Sequence, residues 1–385
     1  MKLNKLLAMS AIVACGLTLA SCGETKESPV ASTPAESTPA ASTPAESTPA
    51  ESTPAEVKVS VGVGYDASYD AAKNQVDLAV AFAAFDADGK IQAARLDVVQ
   101  VKVKAEEMTY TENEESKTGY GLVLDVADAK KREDGAVKTK LEQGTVYGML
   151  KASAIKKEVD SQIEAYAAWT VGKTAAQLAE TQQLNEESGH TVTTDTELAA
   201  SCSISVNQFS AAFAKAYENK SATLVTLEEG AKAGVAINGK VAYNYGKPSK
   251  EVSIDFAGAL VAGGKIVAAS VDAVVASFNI ADDGALSLNT SAKYHNGSTE
   301  TEIKFLSKKT LKEAYGMASA SPIGAEWYTQ AASLEAYAAG KTADQVGAGE
   351  GLAEAGVTIT SSSYTAALKK AAEYSQLEHV GPQPE

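Results

Sequence analysis

Gly172-Lys173-Thr174 and Gly340-Lys341-Thr342 are the stretches of this chain whose residue types come nearest to chemistry. A glycine, a cation and a hydroxyl in a row can cradle a phosphate, provided another glycine stands five residues before the Gly-Lys pair. Those two places hold Ala167 and Glu335. Each threonine is instead followed, three residues on, by a glutamine, Gln177 and Gln345, which spells the capping box of a short helix. Asp86 and Asp88 flank a turn and suggest calcium, but the corresponding turn further on is Ala262-Gly263-Gly264, without carboxylates. Gly62-Val63-Gly64 follows a strand pattern without opening an apolar-periodic helix, which a dinucleotide turn requires. His190, His295 and His379 have no partner at metal-ligand spacing and no repeated serine motif nearby. Neither a hydrolytic site nor a metal site is expected. Glu158 with Gln162, and Glu326 with Gln330, stand one helical turn apart; such pairs can form a site or tie a helix to a loop, and the tie is expected.

These residues come in pairs because the chain repeats itself. Tyr147-Gly148-Met149, Ser153, Ile155, Glu158, Gln162, Gly172-Lys173-Thr174 and Gln177 recur as Tyr315-Gly316-Met317, Ser321, Ile323, Glu326, Gln330, Gly340-Lys341-Thr342 and Gln345, all at a shift of 168 residues. Two copies of one domain type are expected, over 57–220 and 228–376, with a tail over 377–385. A site used by the domain type should then appear in both copies.

Each copy opens with alternating apolar residues. Val57, Val59, Val61 and Val63 have the period of a half-buried strand. Val76, Leu78, Val80 and Phe82 lead through Asp88-Gly89 to a return strand at Ile91, and Val252, Ile254 and Phe256 lead through Gly263-Gly264 to Ile266; these are hairpin signals. Strand patterns follow at 120–126 and 285–289, with polar loops expected at 131–134 and 295–301. Helices come next. Val159, Ile163 and Tyr166 share a face, as do Trp327, Ala331, Leu334 and Ala338. Gly172 and Gly340 stand where a helix ends in the left-handed conformation. Each copy closes on a strand-like piece and an amphipathic helix, with Phe209, Ala212, Phe213 and Ala216 matching Tyr364, Ala367, Leu368 and Ala371. Strands first and helices later argue for an α+β fold with an antiparallel sheet. Each copy is complete enough in elements to be expected to fold alone.

The first residues read as an address. Lys2 and Lys5 precede an apolar stretch over 6–19, too short to span a bilayer. It ends in Leu19-Ala20-Ser21-Cys22, which resembles the bacterial lipobox. That resemblance implies a signal peptide over 1–21, cleavage before Cys22 and a diacylglycerol anchor on its thiol, hence an extracytoplasmic, membrane-anchored protein. Residues 22–56 carry near-tandem Ser-Thr-Pro-Ala-Glu units and read as an extended spacer, reaching at most about 100 Å at ~3.1 Å per residue. Of three cysteines, only Cys202 remains for the body of the protein, so no intrachain disulfide can form there; it reads as a small buried hydrophobe. A formal charge of -15 without a basic stripe argues against nucleic acid as a partner.

The end of the second copy, Ala355-Gly356-Val357-Thr358-Ile359-Thr360-Ser361 followed by Tyr364, Ala367, Leu368 and Ala371, resembles the C-terminal part of FMN-binding domains of extracytoplasmic electron-transfer proteins. Gly89-Lys90-Ile91 and Gly264-Lys265-Ile266 add to it, and the doubled architecture on a lipid anchor resembles flavin-bearing lipoproteins of the Gram-positive cell surface. The resemblance implies an FMN-binding-like fold in both copies and a flavin phosphate esterified at Thr358, beside Gly356. In the first copy Ser203 falls at that position, and Ser201 replaces the glycine. Val357 and Ala355 also depart from the family's pattern. Tyr147, Tyr315, Met149, Met317 and Trp327 could face a flavin ring or belong to the core. Two functions follow: a flavin-dependent electron-transfer lipoprotein with a redox partner, or a cofactor-free binding or structural lipoprotein on the same scaffold. Neither is a hydrolase or a transferase.

Overall fold

The computed structural model describes residues 56–290 and 305–383, which lie in the second of two units into which the chain divides, Ala55–Glu385. The expectations placed on the signal peptide, Cys22, the spacer through residue 55 and His295 fall outside the described residues. The first copy runs β1 (Lys58–Asp70), β2 (Gln75–Phe85), β3 (Ile91–Glu112), β4 (Glu115–Leu124), β5 (Arg132–Glu133), β6 (Ala136–Val137), α1 (Lys140–Gln143), α2 (Val159–Trp169), α3 (Ala175–Glu180), β7 (Gln182–Asn185), β8 (His190–Thr193), α4 (Thr196–Ala199) and α5 (Asn207–Glu218). The second continues with β9 (Val225–Thr226), β10 (Lys232–Val241), β11 (Glu251–Ala262), β12 (Lys265–Ile280), β13 (Leu286–Leu288), α6 (Lys308–Leu311), α7 (Trp327–Ala338), α8 (Ala343–Ala348) and α9 (Ser362–Tyr374). The fold is α+β with antiparallel sheets, as the strand-then-helix order argues.

Two large sheets result, ordered β4-β3-β2-β1-β9 and β13-β12-β11-β10-β6-β5. Alternation along each strand gives each sheet two buried faces. Val61, Val63, Leu78, Val80 and Phe82 of the first pack with Val235, Ile237, Ile254 and Phe256 of the second in one apolar layer. The opposite faces, Ala79, Ala81 and Ala83 in one copy and Ala257 and Ala259 in the other, are covered by α2 and α5 and by α7 and α9. The layers run helix, sheet, sheet, helix. Small residues let the helices approach. A Cβ on Gly62 would run into the Ala216 carbonyl, and one on Gly234 into the Ala371 carbonyl. Close packing of α5 thus accounts for Gly62, and Gly234 is its equivalent in the second copy.

The shared layer argues against each copy folding alone. Separation would expose side chains worth roughly 1.5–3 kcal/mol each when buried. The chain is also interlaced. Residues 131–134, expected as a loop, contribute β5, and β6 of the first copy pairs with β10 of the second through Val137↔Gly239 and Ala136↔Lys240. Elements two residues long carry no periodicity, so the sequence could not announce them. Tyr65 of the first copy donates to the Phe305 carbonyl at 2.7 Å and accepts from the Ser307 amide at 2.8 Å. The tail crosses back in the other direction. The Thr145 amide donates to the Pro382 carbonyl at 3.0 Å, Gln383 donates to Asp160 at 2.8 Å, and Val380 packs against the first copy's outer core.

Candidate functional site

The repeated Glu and Gln side chains lie at the starts of α2 and α7. Glu158 and Glu326 precede the two helices, and each carboxylate accepts a backbone amide at 2.8 Å, from Met149 and Met317 respectively. One turn on, Gln162 donates to Ser153 Oγ at 3.2 Å and to the Lys157 carbonyl at 3.0 Å; Gln330 donates to Ser321 Oγ at 3.0 Å and to the Ala325 carbonyl at 3.2 Å. Their Oε1 atoms face the positions singled out for flavin. Gln162 accepts from the Ser203 amide at 2.8 Å and its hydroxyl at 3.1 Å. Gln330 accepts from the Thr358 amide at 2.8 Å, its hydroxyl at 3.1 Å and the Ile359 amide at 3.1 Å. Both glutamines are buried, so each amide joins three chain segments with its hydrogen-bonding capacity filled. These are the ties that the helical spacing suggested.

The segment 358–360 is not a strand, contrary to the strand-like piece expected before the closing helix. Gln330 meets the amides of Thr358 and Ile359, and a ladder partner is unnecessary. Ser361 precedes α9 without a side-chain cap bond. Gly356 has φ +80, and a Cβ there would come no nearer than 3.7 Å to Ser333 Oγ. Its backbone conformation is what calls for glycine. Ser203 and Thr358 are half-buried. Trp327 is buried against Tyr364, with ring centroids 5.5 Å apart, and Tyr147, Met149, Tyr315 and Met317 flank the outer cores.

A second repeated cluster went unread in the sequence. Lys140 and Lys308 are related by the same 168-residue shift, ahead of the matched stretch that begins at Tyr147. The Lys308 ammonium lies 3.0 Å from the Tyr364 hydroxyl, with the rings of Tyr315, Trp327 and Tyr364 at 5.5, 5.5 and 5.7 Å. Burial acts to lower its pKa, but Tyr364, Tyr315 and Asp255 outweigh it and hold the amine above the usual lysine range. Lys140 has one ring, Tyr147, at 5.3 Å. There burial wins over the charges of Asp77 and Asp97, and its pKa falls.

Beneath the lysines lie Asp97 and Asp272, each six residues after the isoleucine of the repeated Gly-Lys-Ile. Both are fully buried. Asp97 Oδ1 accepts from the Val98 amide at 2.7 Å and the Leu141 amide at 3.1 Å; Asp272 Oδ1 accepts from the Ala273 amide at 2.8 Å and the Lys309 amide at 3.1 Å. Each Oδ2 is without a partner. Burial, with the charge of Glu142, pushes the Asp97 carboxyl up to about 7 against the pull of the Thr139 side chain and the two amides. Burial raises Asp272 too, with Lys309 opposing. The equal spacing from Gly-Lys-Ile was the signal that could have found this pair.

Two grooves also correspond across the repeat. One, about 710 Å³, lies between β3, α2 and the tail, with Ala94, Ala168 and Ala233 on its walls and Arg95 and Glu164 paired at 2.9 Å. The other, about 210 Å³, lies between β12, α7 and the segment after α5, walled by Ala268, Ala336 and Val61.

The discarded motifs have structural roles. Thr174 and Thr342 form complete capping boxes with Gln177 and Gln345. The Asp86 carboxylate accepts the turn amides of Asp88 and Lys90 at 2.9 Å each. His190 lies 3.0 Å from Ser205 Oγ, and His379 pairs with Glu164 at 3.2 Å. Cys202 is buried, and burial pushes its thiol up to about 11. Among the described residues, no group of three or more His, Cys, Asp or Glu is placed to hold a metal, and no helix is long and apolar enough to cross a membrane. No protein-family model, curated protein or solved structure matches the chain.

Proposed function

We propose that the chain is a lipid-anchored, extracytoplasmic protein whose two fused, FMN-binding-like copies serve as a cofactor-free binding or structural head. The observation that carries this reading is the glutamine tie. In both copies, the amide and hydroxyl at the candidate flavin position are already held from inside by Gln162 or Gln330. The large aromatic surface that could stack on a flavin ring, Trp327, is buried in the core. On this reading a ligand enters the alanine-walled grooves. The lipobox around Cys22 supports the anchor, and the Ser/Thr/Pro spacer supports a role held away from the membrane.

A second reading, flavin-dependent electron transfer, draws support from one feature. Ser203 and Thr358 keep a half-buried hydroxyl at the matching place in both copies. Co-expression with a flavin transferase followed by intact-mass measurement separates the two. The cofactor-free reading expects an unmodified, colourless protein. An FMN-phosphoryl adduct that disappears in Thr358→Ala or Ser203→Ala would establish the second.

A further inference from the structure

The tail meets the first copy at a corner that the second copy closes differently. Gly381 and Pro382 lie against the end of α1: a Cβ on Gly381 would come within 2.4 Å of the Leu141 carbonyl, and one on Gly144 within 2.3 Å of the Pro382 carbonyl. The Pro382 carbonyl accepts from the Thr145 amide at 3.0 Å and from its hydroxyl at 3.2 Å, and Gln383 donates to Asp160 at 2.8 Å. His379 pairs with Glu164 at 3.2 Å. The 168-residue shift carries Gly144, Thr145, Asp160 and Glu164 onto Lys312, Glu313, Tyr328 and Ala332. There the Tyr328 hydroxyl donates to Glu313 at 2.8 Å, so two positions that receive the tail in the first copy bind each other in the second. Gly144 and Lys312 have nearly the same φ, +47 and +48. The backbone at this place thus accepts a lysine, and what calls for glycine in the first copy is the approach of the tail.

The corner receives a backbone, and the fit is specific in shape but weakly held. Residues 377–383 form no helix or strand. Val380 reaches the outer core of the first copy and stays half-buried, while Leu377 is exposed. Beneath the tail, three buried side-chain atoms lack a hydrogen-bond partner. One is Arg95 Nε, whose neighbouring nitrogen reaches the Leu377 carbonyl only at 3.4 Å. Another is Asp160 Oδ1, beside the oxygen bonded to Gln383. The third is Gln143 Oε1, next in the chain to Gly144. Covering polar atoms without pairing them costs stability, and ordering an extended segment costs more. Against these stand one half-buried valine and a few bonds, so the tail lifts easily.

We propose that this corner is a docking site for an extended peptide, and that the chain's own tail fills it as a displaceable strap. The contacts define what the site accepts: an apolar residue for the outer core, then a glycine where a side chain would strike the Leu141 carbonyl, a carbonyl for Thr145 and an amide side chain for Asp160. In this chain they are Val380, Gly381, Pro382 and Gln383. Identical contacts are exchanged when the tail of a second copy of the chain replaces the first, so that tail is the partner the corner fits once the strap lifts. The proposal stands whether or not the alanine-walled grooves take a ligand.

The test uses the mature chain with its own strap lifted by Gly381→Val, titrated with a fluorescein-labelled peptide of the wild-type sequence 376–385 and followed by anisotropy. Saturable binding is expected. Affinity should be roughly tenfold or more weaker for the wild-type chain, whose strap competes at high effective concentration. It should be equally weak for Gly144→Lys/Gly381→Val, which should melt as Gly381→Val does because Lys312 already holds that conformation. Val380→Ser, which withdraws the apolar anchor instead, should bind the peptide as Gly381→Val does. A peptide carrying the Gly381→Val change should bind none of these chains. Four results overturn the proposal: neither lifted variant binds the wild-type peptide, the wild-type chain binds it as tightly as they do, Gly144→Lys leaves the binding intact, or the altered peptide binds equally well.

Discussion

Lys140 and Lys308 occupy the same place in the two copies and experience opposite environments. Around Lys308 stand Tyr315, Trp327 and Tyr364, and its ammonium is held above the ordinary lysine range. Around Lys140 the counterparts of Trp327 and Tyr364 are Val159 and Phe209, leaving Tyr147 as its ring partner, and burial pulls its pKa down. By contrast, the glutamine ties agree between the copies to within 0.2 Å at every shared oxygen or amide contact. The difference teaches which parts the fold requires. Bonds that join a helix to two loops recur unchanged, while the packing around a half-buried cation differs once each copy can lean on the other.

The comparison breaks most severely if the copies are cut apart. Residues 57–220 and 228–383, expressed singly, should each lose cooperative melting, because the inter-sheet layer and the β6–β10 pairing both vanish. A sharp calorimetric transition in either piece would restore two independent domains. Next in size, Trp327→Ala should cost about 3–5 kcal/mol, and Val159→Ala distinctly less; equal losses in denaturant titrations would mean that the aromatic surround of Lys308 contributes nothing special. Gln330→Ala and Gln162→Ala should each strand buried donors at about 1–3 kcal/mol per group. Gln330 should cost more, since it meets the Ile359 amide as well.

Stability should also depend on pH through the buried carboxyls. The folded-state pKa of Asp97 is raised to about 7, so its contribution to stability is fully present below the unfolded carboxyl value and is lost as pH rises through about 7. Asp97→Asn should flatten that decline when unfolding is followed from acid to neutral pH. A variant whose decline matches the wild type would show that this carboxyl does not drive it. Asp272→Asn should act in the same direction.

Much of the fold was legible because its signals are local. Thr174 with Gln177 and Thr342 with Gln345 announce their helices. Asp88-Gly89 and Gly263-Gly264 announce the hairpins, and the spacing of Glu158 from Gln162 announced a tie. The shared core was written less plainly. Leu78 to Phe85 runs Leu-Ala-Val-Ala-Phe-Ala-Ala-Phe, a nearly continuous apolar strand of the kind buried on both faces. Reading only the alternation of large residues hid the second face. The partners of Gln162 and Gln330 were not legible, since Ser203 and Thr358 lie far along the chain, and nothing in a spacing reveals which oxygen a buried amide will meet. Asp97, Asp272 and the two lysines repeat, but in stretches where the rest of the sequence has diverged.

The most direct test of the cofactor-free reading is an FMN titration of the mature chain followed by the backbone amide resonances of Ser203 and Thr358. With Gln162 and Gln330 holding both residues, neither resonance should move at any FMN concentration. A saturable shift at Thr358, matched by quenching of flavin fluorescence and abolished in Thr358→Ala, would contradict the account.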